Sequence, residues 1–178
     1  MDARLFYALM PSEALVASLQ PVMKGVAGAR WQTPEQLHLT LRFVGQAPAR
    51  MVDDLAAALH SIPPELPPLT LSGVGYFDTR GHPNALWVGL EPREALTVLH
   101  RKLDRACQIA GLAAERRHYI PHITVARLPR SCGPIDRWIG DHAGLSGIAA
   151  RFTRCSLVES ILTHDGSHYE ELASVPVR

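Results

Sequence analysis

The sequence predicts an α+β fold built largely from antiparallel strands. Three observations carry this. Short apolar or alternating segments with strand character follow one another directly at several points. Amphipathic helical stretches are interleaved with them rather than placed between every pair. A His-x-Thr-apolar tetrapeptide occurs once in each half of the chain. Strands that adjoin without a crossover helix argue against a doubly wound parallel sheet. A pattern repeated only twice, at this distance, suggests a duplicated lobe rather than a solenoid. The length of 178 residues suits one domain, or two small lobes sharing a core.

Leu5 to Leu9 reads as a buried strand ended by Pro11. Ser12 is placed to cap a helix carrying Leu15, Leu19 and Val22, which Pro21 kinks or stops early. Leu37 to Val44 alternates most cleanly: Leu37, Leu39, Leu41 and Phe43 fall on one face, His38, Thr40 and Arg42 on the other, and Gly45 closes the strand. A helix follows from about Pro48 with Val52, Leu55 and Leu59 on one stripe. Pro63-Pro64 and Pro67-Pro68 break it. Leu69 to Val74 and Ala85 to Leu90 read as strands around a turn or loop at 78–83. The strongest helix comes next, with Pro92 in its first turn, a stripe of Leu96, Leu99, Leu103, Cys107 and Ala110, and Gly111 at its end. Beyond a basic patch, Arg116-Arg117-His118, Ile120 to Leu128 reads as a strand. A short helix at Ile135 to Ile139 precedes a closing hairpin of Phe152 to Leu162 and Tyr169 to Val177 around His164-Asp165-Gly166-Ser167.

Apolar residues at 47% and charged residues at 20% describe an ordinary globular chain and exclude disorder. A net charge of +1 gives no sign of the strongly basic face that duplex nucleic acid calls for, and leaves room for a local phosphate site. Three cysteines without a CxxC pair argue for reduced thiols rather than a disulfide framework. The apolar run Leu5 to Met10 is too short for a signal peptide, and no apolar stretch is long enough to span a bilayer. A cytoplasmic protein with no membrane association is expected.

The chemistry is concentrated in His38-Leu39-Thr40-Leu41 and His122-Ile123-Thr124-Val125. With nine His and eight Thr in the chain, roughly 0.2 such matches are expected by chance. In a strand, residues two apart share a face, so each His sits beside its Thr. Two such strands facing one another bring two imidazoles and two hydroxyls together. That set suits phosphoryl transfer. One His takes a proton from the attacking water while the other gives one to the leaving oxygen. The Thr hydroxyls donate to the non-bridging oxygens. In-line displacement asks for the two His on opposite sides of phosphorus, hence from opposite lobes. Arg127 is a natural bidentate phosphate partner, but regular strand parity turns it away from His122 and Thr124, so it reaches the site only if the strand bulges or ends. Arg42 has the right parity beside His38 and Thr40. Phe43 falls on the apolar face, where core packing explains it. Histidines 60, 82, 100, 118, 142, 164 and 168 have no such pairing.

The segments Leu37-His38-Leu39-Thr40-Leu41-Arg42-Phe43-Val44-Gly45 and Pro121-His122-Ile123-Thr124-Val125-Ala126-Arg127 resemble the paired motifs of the 2H phosphoesterase superfamily. They are similar in particular to its bacterial RNA 2′,3′-cyclic phosphodiesterase (2′-5′ RNA ligase) family. Arg4 to Leu9, Leu86 to Leu90 and Gly166 to Leu172 extend the resemblance over almost the whole chain. It implies a single bilobal domain over residues 1–178, with two pseudo-symmetric lobes, each an antiparallel sheet with flanking helices, around a central cleft. It implies that His38 is the proton donor and His122 the proton acceptor. It further raises Arg127 as a phosphate ligand beside Thr40 and Thr124 and matches Phe43 to a position that stacks on the base, while Arg42 is a second candidate on strand parity alone. The implied reaction opens 2′,3′-cyclic phosphate ends of RNA, or of nucleotides, to 2′-phosphomonoesters, in a monomer, with no metal and no cofactor.

Three alternatives stand beside this reading. Reversible 2′-5′ ligation would use the same phosphate site, with substrate choice lying in loops near 78–84 and 112–118. An inactive RNA-end binder would keep affinity without turnover. A zinc site on His38 and His122 lacks the third and fourth ligands that zinc normally takes.

Overall fold

The computed structural model describes residues 2–62, 64–164 and 166–178. The helix-breaking reading of Pro63 and the turn reading of Asp165 lie outside the described residues, as does Met1. The elements run β1 (Asp2–Pro11), α1 (Glu13–Leu19), β2 (Arg30–Trp31), β3 (Leu39–Pro48), α2 (Val52–Ser61), β4 (Thr70–Thr79), β5 (His82–Glu91), α3 (Arg93–Ile109), β6 (His122–Arg127), α4 (Asp136–His142), β7 (Phe152–Thr163) and β8 (Gly166–Pro176). The α+β class and the antiparallel pairing expected from the sequence are what the chain adopts.

The strands form one sheet in the order β4-β5-β6-β3-β1-β7-β8, with β2 beside β6. It consists of two halves, β8-β7-β1-β3 and β4-β5-β6-β2. Their junction is narrow: β3 and β6 pair only at Leu39 and Ile123. Because the pairing is antiparallel, one step to either side sets His38 opposite Thr124 and Thr40 opposite His122. The two motifs thus meet head to head at the seam.

One face of the sheet carries the main core. Leu5, Tyr7 and Leu9 of β1, Leu39 and Leu41 of β3, and Leu86, Val88 and Leu90 of β5 pack there with Leu55 and Leu59 of α2 and Leu96, Leu99 and Leu103 of α3. The apolar stripe of α3 spaced at three and four residues covers that face. Tyr7 keeps its hydroxyl satisfied by donating to the Leu55 carbonyl at 2.7 Å. The other face has only a small cluster, Phe6, Ala8 and Val158, with Met10, Phe43 and Tyr169 against it.

Several boundaries differ from expectation. Ser12 caps α1 by accepting from the Leu15 amide, and Pro21 converts the next turn to a 3-10 helix. β3 does not close at Gly45 but runs to Pro48; a bulge at Val44 lets it continue, and Gly45 takes up the positive φ of 82° that follows. β4 and β5 are joined by only Arg80 and Gly81, whose φ of 54° and 79° suit a tight hairpin turn of right-handed twist. Pro92 stands just before α3 rather than within its first turn. The two-residue β2 carries too little pattern to be read from sequence. No helix among the described residues is long and apolar enough to cross a membrane.

Candidate active site

Both motif strands bulge at the residue after the motif threonine. On β3, Tyr7 pairs with Arg42 and Ala8 with Thr40, so Leu41 is the extra residue. On β6, Leu86 of β5 pairs with Ala126 and Trp87 with Thr124, so Val125 is the extra residue. Paired residues share a face, and each bulge inverts the parity beyond it. Thr40 and Phe43 therefore lie on one face with Ala8 and Phe6, while Arg42 lies with Tyr7. Likewise Thr124 and Arg127 share the face of Trp87 and Ala85. The parity obstacle to Arg127 is removed, and two expectations are corrected: Phe43 leaves the core face, and Arg42 leaves the face of His38 and Thr40.

Distant side chains hold the first bulge. His100, buried on α3, donates from Nδ1 to the Leu41 carbonyl at 2.6 Å. Tyr119 stacks on the His100 ring at 4.2 Å and donates to the Thr40 carbonyl at 3.2 Å. Arg42 donates to Asp104 at 2.6 Å, to the Ala113 carbonyl at 2.6 Å and to the Phe43 carbonyl. It braces the cavity wall, with one donor of each guanidinium nitrogen taken by a protein acceptor.

The two motif histidines have matching surroundings. His38 Nδ1 lies 2.7 Å from the Gln36 carbonyl and His122 Nδ1 lies 2.6 Å from the Ile120 carbonyl. A carbonyl only accepts, so Nδ1 carries the proton in each neutral ring and Nε2 is left for a ligand. Each ring also sits between two aromatics. His38 contacts Phe6 at 4.9 Å and Tyr169 edge-on at 5.1 Å; His122 contacts Phe77 edge-on at 4.8 Å and Trp87 at 6.0 Å. Burial in these seats disfavours the charged form and pushes His38 down from 6.5 to about 4. The Gln36 carbonyl opposes this, while the positive charges of His122 and Arg127 add to it. His122 is lowered too, first by burial and further by Arg127, against the Ile120 carbonyl. At neutral pH both rings are neutral.

His38, Thr40, Arg42, Phe43, His122, Thr124 and Arg127 all line one cavity of about 570 Å³. Of the arginines in its wall, Arg42 is paired with Asp104 and Arg117 with Glu115, which leaves Arg4 and Arg127 against Asp78, a balance that favours an anionic occupant. The loop regions expected to select substrate contribute Asp78, Glu115, Arg117 and His118. Sequence reasoning missed Phe6, Phe77, Trp87 and Tyr169 as seats for the histidines. Their only signal is that each lies in a strand, aromatic and off the core face. Among the described residues, no group of three or more His, Cys, Asp or Glu is placed to hold a metal ion.

Residues 11–136 match the family model of the 2′-5′ RNA ligase superfamily. A relative from Methanothermobacter thermautotrophicus, named RNA 2′,3′-cyclic phosphodiesterase, is 30% identical over 97% of each chain. One of the same name from Geobacillus stearothermophilus is 30% identical over 83% of this chain, which spans about half (47%) of that longer protein. The crystal structure of a Thermus thermophilus protein superposes with a TM-score of 0.74 at 27% identity, covering 97% of each chain. Escherichia coli LigT in complex with 3′-AMP superposes with a TM-score of 0.71 over 99% of each chain; at 22% identity the likeness concerns the fold.

Proposed function

We propose, from the premise that this chain belongs to the 2′-5′ RNA ligase superfamily, that its cleft hydrolyses 2′,3′-cyclic phosphates by paired histidines and without a metal ion. Its class follows that of its relatives: it is a phosphoric diester hydrolase, an RNA 2′,3′-cyclic phosphodiesterase. The observation that carries the mechanism is the matched tethering of His38 and His122, each through Nδ1 to the carbonyl two residues before it, across a single antiparallel pairing. This leaves Nε2 of each ring without a backbone partner among the described residues and available to a ligand in the cavity that both histidines line.

The substrate is a cyclic diester with one negative charge. Thr40, Thr124 and Arg127 hold its non-bridging oxygens. The anion restores a proton to His38 by offsetting the burial and the like charges that keep it neutral. His122 Nε2 takes a proton as water oxygen bonds to phosphorus. The P–O3′ bond breaks, and O3′ takes the proton from His38 Nε2. The product is a 2′-phosphomonoester, and proton exchange with solvent resets the pair. The Phe43 ring, turned to the cleft face by the Leu41 bulge, stacks on the base. The protein acts as a monomer on RNA ends or nucleotides.

The test is turnover of a nucleoside 2′,3′-cyclic phosphate in excess EDTA, with 2′- and 3′-monophosphate separated by chromatography. A 2′-phosphate product is expected, with kcat reduced about 10²–10⁴-fold in His38→Ala and in His122→Ala. A 3′-phosphate product, or full activity in either variant, would overturn the roles assigned. Tight binding with no turnover, on mononucleotides and on short RNAs alike, would make the protein an RNA-end binder.

A further inference from the structure

On the face that bears His38, β1 presents Arg4, Phe6, Ala8 and Met10 at period two. Phe6 is in contact with His38 at 4.9 Å. Arg4 stands two residues before Phe6, or about 7 Å along the strand. Its guanidinium lies over the Phe43 ring, 5.2 Å from the centroid, and Arg117 lies 5.8 Å from the same ring. Arg117 is held by Glu115 through two hydrogen bonds of 3.1 and 2.9 Å. Arg4 lines the same cavity, and no carboxylate among the described residues pairs with it. The cleft thus offers a second cationic position, in the cavity that both histidines line and next to the ring proposed to carry the base.

We propose that Arg4, with Arg117 near the same Phe43 ring, forms a second anion subsite that binds the phosphate on the 5′ side of the nucleotide whose cyclic phosphate lies between His38 and His122. The substrates selected are then cyclic phosphates that carry a 5′-phosphate group, at an RNA end or on a mononucleotide, over nucleosides with a free 5′-hydroxyl. This deepens the reading of the site as a cyclic phosphodiesterase and rests on it. A guanidinium fork suits a phosphate better than an ammonium does, and the position is open enough for its contribution to fall with salt.

The experiment measures kcat/KM in EDTA for three substrates: a nucleoside 2′,3′-cyclic phosphate, the same compound with a 5′-phosphate, and a dinucleotide ending in a 2′,3′-cyclic phosphate. Wild type, Arg4→Ala and Arg4→Lys are compared. In wild type a 5′-side phosphate is expected to raise kcat/KM about tenfold, less at high salt. Arg4→Ala abolishes that gain and leaves the 5′-hydroxyl substrate unchanged, which also shows that the variant folds. Arg4→Lys keeps part of the gain. A gain with only one of the two phosphate-bearing substrates identifies the terminal monoester or the internucleotide diester as the group bound. No gain in wild type, or an equal loss on all three substrates in Arg4→Ala, overturns the proposal. If none of the three is turned over, the reading of the cleft as a phosphodiesterase fails instead. The subsite is then judged by calorimetric binding of the same ligands, where the same dependence on the 5′-phosphate and on Arg4 is required.

Discussion

Replacing Arg42 with methionine separates a bracing role from direct substrate binding. Met keeps an unbranched stem in the buried channel and removes the guanidinium. Arg42 is 5% exposed, and its partner Asp104 is 15% exposed. Without the guanidinium, Asp104 keeps only the Glu115 amide and the Gln108 side-chain amide, each at 3.0 Å. The Ala113 and Phe43 carbonyls lose a donor as well. Removing one member of a buried ion pair costs about 3–5 kcal/mol. The two donors left to Asp104 and its residual exposure reduce this to about 2–3 kcal/mol. For a domain of this length that lowers Tm by about 5–10 °C. A urea titration should show a lower midpoint at unchanged slope. Since the lost clamp holds the Phe43 carbonyl, KM should rise several-fold while kcat changes little. An unchanged urea midpoint together with a hundredfold fall in kcat/KM would refute this reasoning and make Arg42 a substrate ligand.

The seats of His38 and His122 also predict a pH dependence of stability. Both rings stay neutral in the folded protein, His38 down to about 4, whereas the unfolded chain takes up protons from about 6.5. As pH falls through that window the unfolded state binds more protons, so stability decreases. Glu115, held down to about 2 by Arg117, adds its own loss only as pH falls below 4.5. Urea midpoints of wild type and His38→Asn between pH 7 and 5 should therefore diverge, with the variant flatter; parallel curves would count against burial as the cause. Separately, a Cβ at Gly75 would run into the Trp87 indole, which packs beside His122. Gly75→Ala should cost about 1–3 kcal/mol and lower kcat more than KM; an unaltered rate would show that the Trp87 seat is not needed.

The fold class, the amphipathic helices and the strands that carry both motifs are legible in the order of residues alone. Period-two alternation and the α3 stripe depend only on neighbours along the chain, and the doubled His-x-Thr pattern marks the cleft without knowledge of the pairing. Alternation misplaced Arg42 and Phe43 because it assumes an unbroken ladder. The Leu41 and Val125 bulges arise from how many residues the partner strands β1 and β5 set opposite them. The first is held by His100 and Tyr119, which lie about 60 and 80 positions away. The aromatic seat of His38 likewise comes from β1 and β8 and that of His122 from β4 and β5, strands distant in sequence, and the two seated rings meet where the halves of the sheet join at Leu39 and Ile123. Tertiary structure alone decided which side chains past each threonine face the cleft, because a bulge is a property of two strands and a sequence pattern describes one.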